Sequence, residues 1–132
     1  MTAYKNEFVI YGLNNYMLII DDIIHELKAR DYEFDIKMIL VEAVTNAFYH
    51  GNNCDDKLPI YVRYDLDCNK LKFDIEDCGG EIEDLDSYKC IDFSDVLNEG
   101  NRGLYLIGCY AEKIEYSNNI LKVEKSIAEK NV

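Results

Sequence analysis

The sequence predicts an α/β fold: a two-layer sandwich with helices on one face of a mixed, mostly antiparallel sheet. Three observations carry this. Short stretches such as Ile60–Leu66 and Leu71–Ile75 alternate apolar and polar residues, the mark of half-buried strands. Longer stretches place apolar residues at helical spacing, so one side of each helix must be buried. The order is strand, helix, helix, strand, strand, irregular segment, helix, strand, strand, which fits helices stacked on a sheet. At 132 residues the chain is read as one domain, 1–132, with one sizeable core.

In order, Glu7–Tyr11 reads as a first strand around Phe8 and Ile10, broken by Gly12. Asn14 or Asn15 can cap the next helix, whose apolar face is Met17, Leu18, Ile20, Ile23, Ile24 and Leu27. His25 reads as a solvated helix residue. After a connection over residues 30–33, the central helix opens near Asp35. Ile36, Ile39, Leu40, Ala43, Val44, Ala47 and Phe48 place it deep in the fold. It stops at Gly51, whose freedom at positive φ suits a helix end. A polar turn over 52–58 leads to Pro59 and a strand. Residues 65–70 read as a hairpin connection, and Leu71, Phe73 and Ile75 mark its partner strand. Residues 81–101 lack periodicity and are acidic; such a segment in a compact domain is functional or mobile. A third helix runs through Leu104, Leu106, Ile107 and Ala111. Ile114 and Tyr116 begin a strand, residues 117–119 turn, Ile120–Val123 return, and the tail from Ser126 is expected to fray.

The formal charge of −12 would repel phosphate backbones and argues against direct nucleic-acid binding. It suits a basic partner or a solvated surface, and a bound divalent cation would still admit a nucleotide. The apolar runs are too short to span a bilayer and the N-terminus carries no signal-peptide pattern, so a cytoplasmic protein is expected. The five cysteines are odd in number and widely spaced, and read as reduced, partly buried thiols.

Polar groups gather at three places. Glu42, Asn46 and His50 recur every four residues and form one line along the central helix. Asp77, Gly79 and Gly80 follow a strand. Gly100 and Gly103 open the third helix. A strand-end carboxylate beside glycines can accept a hydrogen bond from the amino group of a flat ligand. Backbone N–H groups at a helix start can meet phosphate. An amide oxygen can bind magnesium, which keeps most of its waters. A glutamate one turn earlier could accept a proton from a nucleophile near the terminal phosphate.

The motifs EAVTNAFYHGN, FDIEDCGGEIED and GNRGLYLIGCYAEKIEY resemble the N box and the two glycine boxes of the GHKL ATPase superfamily, in the form found in anti-sigma-factor serine/threonine kinases. The resemblance implies the Bergerat ATP-binding fold with ATP and Mg2+ as cofactors. It implies a sigma factor and an anti-anti-sigma protein as partners, the latter phosphorylated on a serine, and a possible homodimer. It makes Glu42 the catalytic base, Asn46 the magnesium ligand and His50 a residue near the phosphates. Asp77 would hold the adenine amino group and Gly79 would make room for the base. By the same resemblance Gly100 and Gly103 would be the phosphate-loop glycines, flanked by Arg102 and Leu104, and 81–101 would be the ATP lid. Two positions depart from the family pattern: Glu81 and Asn101 stand where further glycines are common. The alternative is a non-catalytic anti-sigma binding module that keeps the ATP-binding fold.

Overall fold

A computed structural model of the chain describes residues 4–79 and 102–127. The strands are β1 (Tyr4–Tyr11), β2 (Pro59–Asp67), β3 (Lys70–Glu76), β4 (Lys113–Ser117) and β5 (Ile120–Ser126). The helices are α1 (Tyr16–Leu27), α2 (Glu33–Asn46) and α3 (Arg102–Tyr110). The expected helices-on-sheet architecture is present. The sheet order is β1-β2-β3-β5-β4. It was expected to be mixed, yet among the described residues all four pairings are antiparallel.

Period-two alternation builds the sheet as expected. Ile60, Val62, Tyr64, Leu71, Phe73, Ile75, Leu121 and Val123 point into the core against Ile20, Ile23, Ile36, Ile39, Leu40 and Val44. Leu18, expected in that core, is 65% exposed, because α1 buries only the stripe Ile20, Ile23, Ile24 and Leu27. Asn15 occupies the cap position of α1 without a side-chain capping bond, and only its carbonyl is used.

Both hairpins are tighter than expected. Cys68–Asn69 and Asn118–Asn119 are two-residue turns with φ of 51°, 67°, 54° and 65°. Positive φ at both central residues is the twist-matched hairpin geometry, and asparagine tolerates it. Beyond the second turn the chain does not fray at Ser126. That residue ends β5, Ile127 is buried, and its N–H donates to the Asn69 carbonyl at 2.9 Å.

The outer face of the sheet carries alternating charges in register. One row runs Asp65, Lys72, Glu124, Lys113; the next runs Glu7, Arg63, Asp74, Lys122, Glu115. Cross-strand neighbours of opposite sign stabilise such a face modestly. Arg63 is its best-paired member, 2.6 Å from Glu7 and 2.8 Å from Glu76. Those carboxylates raise its already high pKa.

Lys125 points the other way, into the helical layer, and is buried. Its ammonium donates to the Tyr110 carbonyl at 2.6 Å, lies 3.3 Å from Asp35 and sits over the Tyr32 ring. It thus joins the last turn of α3 to the first turn of α2, where Phe34 also meets Tyr110 edge-on. A cation at a helix C-terminus satisfies orphan carbonyls and complements the dipole. Helices α2 and α3 therefore pack antiparallel. At 1.5 Å rise per residue, the eight steps from Tyr110 back to Arg102 cover about 12 Å, which on α2 leads from Asp35 to about Ala43.

Candidate functional site

Helix α2 brings Glu42 and Asn46 to the edge of the buried face, both half-buried. Neither side chain has a hydrogen-bond partner among the described residues; only the Glu42 backbone carbonyl is used, by the Thr45 hydroxyl. A carboxylate and an amide one turn apart, without partners among the described residues, are available to a ligand.

The expected straight line through His50 is not formed. Over Ala47–Gly51 the helix widens to i→i+5 bonding, and the Asn52 N–H reaches the Ala47 carbonyl at 2.8 Å. Each residue turns through less than 100° in such a turn, so His50 falls behind the line set by Glu42 and Asn46 and is exposed. Wide turns of this kind occur often at functional sites.

The wide turn ends against the segment after β3. Gly51 was expected to stop the helix by taking a positive φ. Instead Gly12 is the positive-φ glycine among the described residues, and Gly51 is needed for a different reason. A Cβ on Gly51 would lie 2.1 Å from Asp77 Oδ2, and one on Gly79 would lie 2.2 Å from the Gly51 carbonyl oxygen. The space beside Gly79 that a base was expected to use is taken on this side by the Gly51 backbone. Two glycines from separate motifs thus close around one carboxylate.

Asp77 is 5% exposed. The Gly79 N–H donates to Oδ1 at 2.9 Å, and the Tyr116 hydroxyl donates to Oδ2 at 3.4 Å. Burial pushes its pKa up, the two hydrogen bonds oppose that, and nearby Glu76 adds to the rise. Each carboxylate oxygen has about two acceptor sites, so both keep capacity for a donor from a ligand.

Asn119, in the β4–β5 turn, grips the same segment. Its carbonyl accepts from the Asp77 N–H at 3.0 Å and its side-chain amide donates to the Gly79 carbonyl at 2.9 Å. Sequence reasoning gave no role to Asn119, Tyr116 or Asn52. The adjacent asparagines Asn118–Asn119 signalled a turn, but nothing local showed that the turn would reach residues some forty positions earlier.

Of the third group, Gly100 lies outside the described residues, as does the whole 81–101 segment. Arg102, Gly103 and Leu104 form the first turn of α3, which packs against α2. The Asn46 side chain suits magnesium: an amide oxygen is a hard oxygen ligand, and this ion needs few protein ligands beside waters and phosphates. No cluster of three or more His, Cys, Asp or Glu residues able to cage a metal occurs among the described residues. A trough of about 670 Å3 lies over the charged outer face of the sheet and includes none of these site residues.

The four described cysteines, Cys54, Cys68, Cys78 and Cys109, are exposed and form no disulfide, rather than lying partly buried. No described helix is long and apolar enough to cross a membrane.

Residues 18–125 match the family model of the histidine kinase-like ATPase domain. The chain is 30% identical over 91 residues to the serine-protein kinase RsbW of Bacillus velezensis, covering 64% of this chain and 57% of that protein. It is 31% identical over 83 residues to the anti-sigma F factor of Clostridium perfringens, covering 62% of this chain and 55% of that protein. The chain thus matches little more than half the length of these curated relatives. With the family model spanning both the α2 motif and the segment around Asp77, the chain belongs to the histidine kinase-like ATPase domain family.

Proposed function

We propose that this protein is an ATP-binding anti-sigma factor that phosphorylates a serine or threonine of an anti-anti-sigma protein. The observation that carries the reading is the closure of Gly51 and Gly79 around Asp77, at the end of the helix that bears Glu42 and Asn46. It joins a base-recognising carboxylate to a candidate metal ligand and a candidate proton acceptor within one rigid frame. The names of the two relatives supply phosphorylation of a protein serine and binding of a sigma factor; the anti-anti-sigma substrate rests on the sequence resemblance.

In this reading Asp77 accepts a hydrogen bond from the adenine amino group. The first turn of α3, with Gly103, Leu104 and Arg102, faces the phosphates, helped by the positive end of the helix dipole. Gly100 and the 81–101 lid complete that side, on sequence resemblance alone. Asn46 supplies one oxygen to Mg2+, and His50 flanks the phosphates from the wide turn. The ion, when bound, neutralises charge on the transferred phosphoryl group. Glu42 takes the proton of the attacking serine hydroxyl. The new oxygen–phosphorus bond forms as the bond to the ADP oxygen breaks. One domain over residues 1–132, a cytoplasmic location and a homodimer belong to the same proposal.

The test is transfer of labelled phosphate from ATP, with magnesium, to candidate anti-anti-sigma proteins. Transfer to a serine supports the kinase. ATP and sigma-factor binding without transfer supports the non-catalytic anti-sigma module. Failure to bind ATP overturns both.

A further inference from the structure

Asn52 stands in a stretch that reads as a solvent-facing polar turn, yet it is 1% exposed. Both ends of its amide are used. Oδ1 accepts from the Cys78 N–H at 2.7 Å, and Nδ2 donates to the Leu58 and Pro59 carbonyls at 3.3 and 3.2 Å. Its own backbone N–H closes the wide turn at Ala47. One buried side chain therefore ties the end of the central helix to the start of β2 and to the middle of the Asp77–Cys78–Gly79 segment.

The backbone N–H groups of that segment are held by separate partners. Asp77 N–H goes to the Asn119 carbonyl, Cys78 N–H to Asn52, and Gly79 N–H to the Asp77 carboxylate itself. Asn119 holds the side facing β4 and β5. Among the described residues, Asn52 alone holds the side facing the central helix through a side chain. A buried amide used at both ends rigidifies what it joins, because any other position leaves polar groups unpaired. We infer that Asn52 is a positioning residue for the base half of the nucleotide site: it fixes the Asp77 carboxylate relative to the helix carrying Glu42 and Asn46. Purine selectivity then depends on a residue that touches no nucleotide. This inference rests on the proposed function above.

The amide separates into two roles. The Oδ1 bond to Cys78 orients the site, whereas the Nδ2 bonds to Leu58 and Pro59 hold the preceding loop. Asn52→Ala loses both; Asn52→Asp keeps an acceptor at Oδ1 and loses the donors. The experiment is calorimetric binding of Mg-ATP, Mg-GTP and Mg-tripolyphosphate to the full chain at pH 8, with thermal melts of each variant. For Asn52→Ala, ATP affinity should fall about tenfold, GTP and tripolyphosphate affinities should stay, and the preference for ATP over GTP should shrink accordingly. Asn52→Asp should melt earlier than the parent yet retain the preference, and where Asn52→Ala does not fold, loss of the preference in Asn52→Asp still overturns the inference. An earlier melt of Asn52→Ala with the preference intact would reduce Asn52 to a loop fastener. Equal loss of ATP and tripolyphosphate affinity, or loss of the preference in Asn52→Asp, would also overturn the inference. A parent chain that binds ATP and GTP alike would instead count against the proposed function.

Discussion

The Gly51 Cα lies so close to the Asp77 side chain that a methyl group there would sit 2.1 Å from Oδ2 and 2.2 Å from Cγ. The helix carrying Glu42 and Asn46 and the loop after β3 are thus fitted to each other with no room for one more carbon.

Gly51→Ala should therefore be destabilising by about 1–3 kcal/mol, the usual cost of overpacking a tight site. Nucleotide affinity should fall with it, since Asp77 must move. Urea unfolding and calorimetric titration with Mg-ATP check this. Because the clash is with the Asp77 side chain, Gly51→Ala should cost less in an Asp77→Ala background. Additive costs would contradict the direct contact.

Asp77→Asn should weaken ATP binding about 10- to 150-fold, the worth of a hydrogen bond to a charged group. GTP, which lacks the adenine amino donor, should bind the parent poorly. Equal affinities for ATP and GTP in the parent would remove Asp77 from base recognition.

The same carboxylate sets a pH dependence. Burial raises the folded-state pKa of Asp77. The native state therefore holds this proton at pH values where the unfolded chain has lost it. Its contribution to stability is full below the unfolded pKa and is lost as pH rises through the raised folded value. Between acid and neutral pH, the parent should lose stability relative to Asp77→Asn. Denaturant unfolding of both proteins across that range gives the difference, and a constant difference would contradict the raised pKa.

Lys125→Ala should destabilise by about 2 kcal/mol or more, since it removes a charge-assisted bond to the Tyr110 carbonyl and uncovers Asp35. Lys125→Met, which keeps the buried stem, should cost less. If both variants unfold at the parent's urea midpoint, the α2–α3 clasp carries no weight.

What could be read from the sequence was set by period and local chemistry. Ile60, Val62 and Tyr64, and Leu71, Phe73 and Ile75, alternate so regularly that strand, face and partner followed. Gly51 was located as the helix end for the wrong reason. A positive φ is a local requirement that a sequence can suggest, whereas contact with Asp77 joins residues 26 positions apart. Leu18 fits the helical spacing but falls just outside the stripe that α1 buries. His50 left the line of Glu42 and Asn46 because a straight helix was assumed where the chain widens. Asn52 and Lys125 were invisible as buried residues, since polar side chains are buried only when tertiary partners satisfy them. Nothing in the local pattern names those partners.

We propose that Glu42 and Asn46, whose side chains have no hydrogen-bond partner among the described residues, carry proton acceptance and metal binding for phosphoryl transfer. The most direct measurement is single-turnover phosphorylation of the partner serine at saturating Mg-ATP by the parent, Glu42→Gln and Asn46→Ala. Glu42→Gln keeps the shape of the side chain and removes its basicity. Transfer should fall about 10²–10⁴-fold, toward the smaller end where positioning dominates, with ATP affinity little changed. Asn46→Ala should lose magnesium-dependent nucleotide binding and transfer together. Transfer by Glu42→Gln at the parent's rate would contradict the account.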